Sequence, residues 1–456
     1  MKDKVTLRQG TYIGKAFKGG VEYLGIPFAK PPLGELTFAA PLPLEPSHST
    51  YKAQELRENP IQATNDDLRN YSKDCLYLNV RVPDHKEGEK LPVMVWIYGG
   101  SYAEGGSGKG HLPSFGKASR CAYFNTKKLS SDTRTIQVTF NYRVNLYGFL
   151  NLHYLDENIP ANLGMLDQIT ALKWVRENIA AFDGDTDNIT VYGESAGGAC
   201  ILALMTSPLA QGLFNKAIVQ SACIDHFYSE KESERITRRY LRYLGLREKD
   251  ISKLYDLSPE KVMKANIKLE KSTILHGDTR CAFSPVIDGI TVSDYPRNAA
   301  FNSSIPLLIG TLEREASRFT YGNSSLIMHA FMLVSRQKAR KGKEDYRERV
   351  VKTLTENMYK EPLRAIVSRY KGLCYVYNLT CNSPYMEQRG INSCHATDLY
   401  LLFDEIDSAP FFEGNKDKAR ELSSALKQYW GSFAYSGKPD PEWKPYHTEK
   451  DIFQIK

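Results

Sequence analysis

Asn188-Ile189-Thr190-Val191-Tyr192 runs directly into Gly193-Glu194-Ser195-Ala196-Gly197, and this stretch decides the fold. The first five residues read as a strand. The next five read as a tight turn with a serine at its tip. The small and apolar residues Ala196 to Met205 can then open a helix. A strand, a sharp turn and a helix in this order form a nucleophile elbow, in which a strained backbone holds the serine hydroxyl clear of the sheet. Gly193 and Gly197 flank the serine because strand and helix approach too closely there for a Cβ. The helix beginning at Ala196 aims its free N–H groups and positive end at the reacting centre. Ser195 is therefore the candidate nucleophile, and a hydrolase is the class that follows.

A second glycine motif lies upstream. Leu91-Pro-Val-Met-Val-Trp-Ile97 is an apolar run of the kind that forms a strand buried on both faces. It ends in Tyr98-Gly99-Gly100-Ser101, where glycines let backbone N–H groups turn toward a ligand. Attack on an ester makes an oxyanion, which needs such donors. The N–H groups of Gly100, Ser101 and Ala196 are assigned to that task. An ordinary turn after a strand reads the same way when the motif stands alone.

A base and an acid complete the chemistry. The chain has nine histidines, so most are bystanders. His395, in Asn392-Ser-Cys-His-Ala-Thr-Asp398, precedes an apolar segment and is placed for a loop above a pocket. Glu315, in Gly310-Thr-Leu-Glu-Arg-Glu-Ala316, follows an apolar strand over Ile305 to Ile309. The order Ser, Glu, His is that of α/β-hydrolases. Spacing alone leaves other histidines and carboxylates open.

The chain resembles the type-B carboxylesterases of the carboxylesterase/cholinesterase family. The resemblance runs nearly end to end. It is carried by Tyr23-Leu-Gly-Ile-Pro-Phe-Ala-Lys-Pro-Pro-Leu-Gly34, Asp74-Cys-Leu-Tyr-Leu-Asn79, Phe140-Asn-Tyr-Arg-Val144 with Gly148-Phe-Leu150, and Asn162-Leu-Gly-Met-Leu-Asp-Gln168. Gly193 to Gly198, Pro285-Val-Ile-Asp-Gly289, and the tail with Trp430, Phe433, Gly437 and Trp443-Lys-Pro-Tyr446 follow in order. The resemblance implies an α/β-hydrolase fold with a central, mostly parallel sheet flanked by helices, and it selects Glu315 and His395 to join Ser195. It implies hydrolysis of carboxylic esters through an acyl-enzyme, with no metal or organic cofactor. His395 takes the Ser195 proton and returns it to the leaving alcohol, while Glu315 holds the other imidazole nitrogen. A free imidazole titrates at about 6.5, so activity is expected to level off near neutrality.

Departures from the family pattern remove no catalytic group. Thr37 and Lys73 stand where relatives usually carry an arginine and a glutamate that bridge. Both partners are absent, so neither charge is stranded. The other usual pair, matching Arg143 and Asp167, is kept. Ser101 replaces Gly or Ala, Asn145 and Asp183 replace glycines, Thr186 replaces a proline, and Ala316 stands where Gly is frequent. The resemblance also brings two alternatives: a catalytically silent binding protein of the family's adhesion branch, and a peptidase or amidase on the same fold. Silent relatives lose a triad member, and this chain keeps all three. The quaternary-ammonium site of cholinesterases uses an extra tryptophan. Here the tryptophans are 96, 174, 430 and 443, all in scaffold segments.

Composition bounds the remainder. The 456 residues carry no linker or repeat, and the candidate site spreads from 99 to 395, which favours one large domain over 1–456. Residues 226–375 hold two charged stretches, 226–282 and 313–375, that read as a helical cap or flank. A net charge of +7 is diffuse over this length, and Arg336 to Lys343 reads as a solvated face, so no nucleic-acid partner is expected. No apolar run reaches the roughly 18 residues of a membrane span, and Met1-Lys-Asp-Lys-Val5 lacks an apolar signal core. The eight cysteines, at 75, 121, 200, 223, 281, 374, 381 and 394, show no metal spacing. Secreted relatives pair the cysteine matching Cys75 with one upstream, and Ser47 to Asp74 contains none. A cytoplasmic monomer or homodimer acting on a small ester is the expectation.

Overall fold

The apolar run Leu91–Ile97 is a strand with every residue buried, and it lies inside a ten-stranded sheet. The computed structural model describes residues 3–63, 67–110, 125–302, 304–321, 346–408 and 410–456. From one edge the sheet runs Phe453–Ile455, Cys374–Leu379, Leu307–Leu312, Lys216–Gln220, Gly184–Glu194, Leu91–Ile97, Ile136–Phe140, Tyr77–Pro83, Gly20–Pro27 and Lys15–Phe17. Every pairing from Phe453–Ile455 through Ile136–Phe140 is parallel. The last three strands join antiparallel. Parallel strands need crossovers, and helices Leu163–Asn178, Ala196–Thr206 and Lys416–Ser436 cover the sheet. This is the α/β-hydrolase arrangement that the sequence implies.

The elbow strand extends further than its apolar run. It covers Gly184–Glu194, and its end pairs Gly193 with both Ile97 and Val219. The expected strand over Ile305 to Ile309 instead spans Leu307–Leu312. Pro306 has no N–H for the ladder, although its carbonyl accepts from Ala217, so regular pairing begins one residue later. The region 226–375 contains helices Glu230–Leu244, Pro259–Leu275, Tyr346–Thr355 and Glu361–Val367, together with the sheet strand Leu307–Leu312. The basic run Arg336 to Lys343 and Cys121 lie outside the described residues.

The kept ion pair is a buried fork. Arg143 Nη2 and Nε donate to the two oxygens of Asp167 at 2.7 and 2.8 Å, and the Arg143 backbone N–H adds a third bond at 2.9 Å. The remaining Nη1 donates to the Thr37 and Ala39 carbonyls at 3.1 and 2.9 Å. Where relatives have a second bridge, Lys73 donates to the Tyr255 carbonyl at 2.6 Å and stands 5.5 Å above the Tyr147 ring. Asn145 and Asp183 both adopt left-handed backbone, φ 50° and 65°, at the positions where they replace glycine.

Candidate active site

Ser195 carries the strain of the elbow. Its φ is 57° and ψ −123°, and the helix starts at the next residue. The turn is tight because the elbow helix packs onto the neighbouring strand. A Cβ at Gly193 would lie 2.5 Å from the Ile97 carbonyl oxygen, and one at Gly197 only 2.1 Å from it. The Ser195 N–H donates to the Gln220 carbonyl at 2.9 Å, which ties the turn to the next strand.

Glu315 and His395 reach the serine from the ends of two other elements. Glu315 follows the strand Leu307–Leu312 and is fully buried. Its Oε1 accepts the Leu312 N–H at 2.8 Å, and its Oε2 takes His395 Nδ1 at 2.7 Å. His395 lies just before helix Thr397–Leu402, with Ala396 turning the chain at φ 65°. The His395 N–H donates to the Glu315 carbonyl at 3.2 Å, and its carbonyl accepts from Arg318 at 3.2 Å. Phe319 and Tyr359 flank the ring, with centroids 5.5 and 5.2 Å away. His395 Nε2 stands 2.9 Å from Ser195 Oγ. A carboxylate facing Nδ1 fixes the proton there, so Nε2 presents its lone pair to the serine hydroxyl.

The residues assigned to the oxyanion, Gly100, Ser101 and Ala196, come from two backbones. The Gly99-Gly100-Ser101 loop passes so close to the elbow that a Cβ on Gly99 would stand 3.0 Å from Ser195 Cβ. Gly100 and Ser101 have φ of 109° and 56°, and the loop closes by the Ala103 and Glu104 N–H groups donating to the Gly100 carbonyl at 3.0 Å each. Ala196 is the first residue of its helix, where an N–H has no partner within the helix.

Three groups at the site were not singled out from sequence. Glu194, inside the elbow motif, is buried, and its Oε1 lies 3.1 Å from His395 Nε2, too poorly aligned for a hydrogen bond. Burial pushes its carboxyl up to about 8, with His395 pulling the other way. Burial opposes a charge on His395, but the Glu194 charge, then the hydrogen bond and charge of Glu315, outweigh it and lift the imidazole to about 9. That direction runs against a base that titrates as a free imidazole. Asp398, on the helix that follows His395, accepts from Gln220 Nε2 at 2.6 Å, and Trp430 Nε1 donates to Gln220 Oε1 at 3.2 Å. Gln220 thus joins the helix behind the histidine to the turn that holds the serine. Cys223 is the third group, with its Sγ 3.5 Å from Ser195 Oγ.

Among the described residues no cluster of three or more metal-ligating side chains occurs, and no helix is long and apolar enough to cross a membrane. The model of the carboxylesterase family matches residues 2–331 and 322–456. A para-nitrobenzyl esterase of Bacillus subtilis is 33% identical, over 98% of this chain and 93% of its own. Carboxylesterase 1E of Rattus norvegicus is 28% identical, over 98% and 89%. Among solved structures, a PNB esterase superposes with a TM-score of 0.83 at 31% identity, covering 98% of this chain and 94% of its own. A Geobacillus stearothermophilus carboxylesterase reaches 0.82 at 27% identity, covering 100% and 96%. With its buried Ser195–His395–Glu315 chain at the tip of the elbow and a family model matched along its length, this protein belongs to the carboxylesterase family.

Proposed function

We propose that the protein is a serine carboxylesterase that splits small carboxylic esters through an acyl-enzyme on Ser195. One observation carries the assignment: Ser195 Oγ, His395 Nε2, His395 Nδ1 and Glu315 Oε2 stand in line with gaps of 2.9 and 2.7 Å. Serine is a weak nucleophile until a base takes its proton. His395 Nε2 removes that proton as Oγ attacks the ester carbonyl, and it protonates the leaving alkoxide. Glu315 keeps its charge beside Nδ1–H and stabilises the imidazolium. The N–H groups of Gly100, Ser101 and Ala196 receive the carbonyl oxygen as it becomes negative. Water then enters where the alcohol left, His395 takes its proton, and the acyl–Oγ bond breaks to release the acid. None of these steps calls on a metal or organic cofactor.

Helices Glu230–Leu244 and Pro259–Leu275 supply a flank of the site within a single domain over 1–456. We place the protein, as monomer or homodimer, in a reducing cytoplasm. The described cysteines support that reading: all seven are free, Cys75 among them. The decisive experiment is hydrolysis of a p-nitrophenyl short-chain ester by wild type and Ser195→Ala. Wild type should turn over and take an organophosphate label on Ser195, and the folded variant should do neither. A folded variant that keeps a substantial part of kcat refutes the nucleophile. An unlabelled, inactive wild type refutes the esterase.

A further inference from the structure

The Ser195 hydroxyl has a second neighbour, which the hydrolytic steps above do not use. The segment after strand Lys216–Gln220 holds the nucleophile on both sides of its peptide. The Gln220 carbonyl accepts the Ser195 N–H at 2.9 Å, and the Cys223 N–H donates to the Ser195 carbonyl at 3.4 Å. The segment is itself anchored. The Ser221 N–H donates to the Gly310 carbonyl at 2.9 Å, and the His226 N–H donates to the Cys223 carbonyl at 3.1 Å. Cys223 is 6% exposed, and its Sγ stands 3.5 Å from Ser195 Oγ. The thiol is therefore set against the reacting oxygen by a backbone tied to the nucleophile.

The direction of that contact follows from where the protons are. Glu315 Oε2 stands 2.7 Å from His395 Nδ1, which keeps the imidazole proton on Nδ1. Nε2 is then an acceptor, and at 2.9 Å it takes the single hydrogen of Ser195 Oγ. Oγ has no hydrogen left for sulfur. It does have two lone pairs, one for the carbonyl carbon it attacks and one for a donor. Neither nearby imidazole carries a charge to hold a thiolate. His226 Nδ1 accepts the Cys281 backbone N–H at 3.2 Å, and His395 is neutral when it works as a base. Burial then keeps the Cys223 thiol protonated. The hydrogen between Sγ and Oγ belongs to sulfur, and Ser195 accepts it.

We propose that Cys223 is a further catalytic residue of ester hydrolysis, its S–H donating to Ser195 Oγ and easing the departure of that oxygen from the acyl-enzyme. The inference rests on Ser195 being the esterase nucleophile. In the resting enzyme the donor helps to hold the hydroxyl in line with Nε2. In the acyl-enzyme Oγ is an ester oxygen whose lone pairs are shared with the carbonyl, so the contact is weak. His395 then takes a proton from water, and the hydroxide adds to the acyl carbon. When the tetrahedral intermediate collapses, the C–Oγ bond breaks, its electron pair passes to Oγ, and His395 returns the proton there. Negative charge grows on Oγ in that step, and a donor already in place strengthens with it. Cys223 keeps its own proton throughout. The backbone donors proposed above serve the carbonyl oxygen, and Cys223 serves Oγ. Acylation gains less, because the free hydroxyl already accepts the same bond before attack, and only a bond that strengthens in the transition state raises the rate. Deacylation therefore depends on Cys223 more than acylation does.

The test follows p-nitrophenyl acetate by stopped flow in wild type, Cys223→Ala and Cys223→Ser. The burst of p-nitrophenol reports acylation, and the steady rate after it reports deacylation. Organophosphate titration counts intact sites, so misfolded protein does not enter the rates. Cys223→Ala should lose about tenfold in the steady rate and in kcat, and its KM should fall in parallel as acyl-enzyme accumulates. Its burst rate and kcat/KM should change little. Cys223→Ser keeps a donor on a shorter arm and should lie between the other two. An unchanged kcat in Cys223→Ala, or equal losses in burst and steady rates, overturns the proposal. So does an ultraviolet thiolate band that wild type shows at the assay pH and Cys223→Ala lacks, because a thiolate draws the serine hydrogen away from His395. A wild type that hydrolyses no ester removes the esterase reading itself, whereas turnover without the split removes only the role of Cys223.

Discussion

Replacing Glu194 with glutamine should move the acid limb of the kcat/KM profile to lower pH. The general base must be neutral to take the serine proton, so activity rises as His395 loses its proton. His395 is lifted to about 9, and Glu194 is the largest of the charges that lift it. The two groups lie 3.1 Å apart. At an effective dielectric of 20 that separation is worth about 5 kcal/mol between full charges. Glu194 never delivers the whole of it, because burial holds its own carboxyl up to about 8 and the two groups share protons as a pair. Glutamine keeps the volume and removes the charge. The remaining lift then comes mainly from Glu315, and the limb should fall by about one to two pH units, or roughly 1.4–2.7 kcal/mol. The assay is kcat/KM for p-nitrophenyl acetate across the stable pH range, corrected for spontaneous hydrolysis. The pH dependence of organophosphate labelling checks that the same group is being read. A limb that stays in place or moves upward refutes the electrostatic coupling.

Three further outcomes follow from particular contacts. Glu315→Gln should lower kcat by about 10³–10⁴, measured by steady-state kinetics on the same ester, because the amide oxygen must serve the Leu312 N–H and the NH₂ then faces His395 Nδ1. That NH₂ favours the tautomer with its proton on Nε2, which cannot accept from Ser195. Asp167→Asn should destabilise the fold by roughly 3–5 kcal/mol in urea unfolding, since it leaves the buried Arg143 guanidinium without its counter-charge. Wild type should prefer acetyl to butyryl esters over octanoyl, and Ser101→Ala should widen that range with little loss on acetate. The backbone N–H survives the change, and kcat/KM across the three chain lengths decides it.

Local chemistry was legible in the sequence, and convergence was not. The elbow could be read because its strand, serine, glycines and helix are consecutive, and each follows from a steric demand on its neighbour. Leu91–Ile97 could be read because a strand buried on both faces has to be apolar throughout. Glu315 and His395 are 80 residues apart, and no periodicity connects them. They were reached through the family's motif order, and the geometry then explains the pairing: a carboxylate with one oxygen tied to Leu312 has the other free for one histidine. Pro306 shows the opposite error. Its apolar neighbours suggested a strand, but its missing N–H delays the pairing to Leu307.

Glu194 was in plain view inside the motif, yet its role depends on burial, which a single sequence does not state. A carboxylate after a strand is ordinary. A carboxylate buried 3.1 Å from the base nitrogen changes the pH at which the base works. Cys223 and Cys281 show the same dependence on packing. Counting cysteines found no spacing that signals a site, because Cys223 and Cys281 lie far apart along the single crossover between strands Lys216–Gln220 and Leu307–Leu312, and their neighbours come from other parts of the chain. Cys223 Sγ stands 3.5 Å from Ser195 Oγ, and Cys281 Sγ 3.0 Å from His226 Nδ1, contacts that no spacing in the sequence announces. The same fold that brings Ser195, His395 and Glu315 into one line for hydrolysis also sets the Cys223 thiol against the nucleophile.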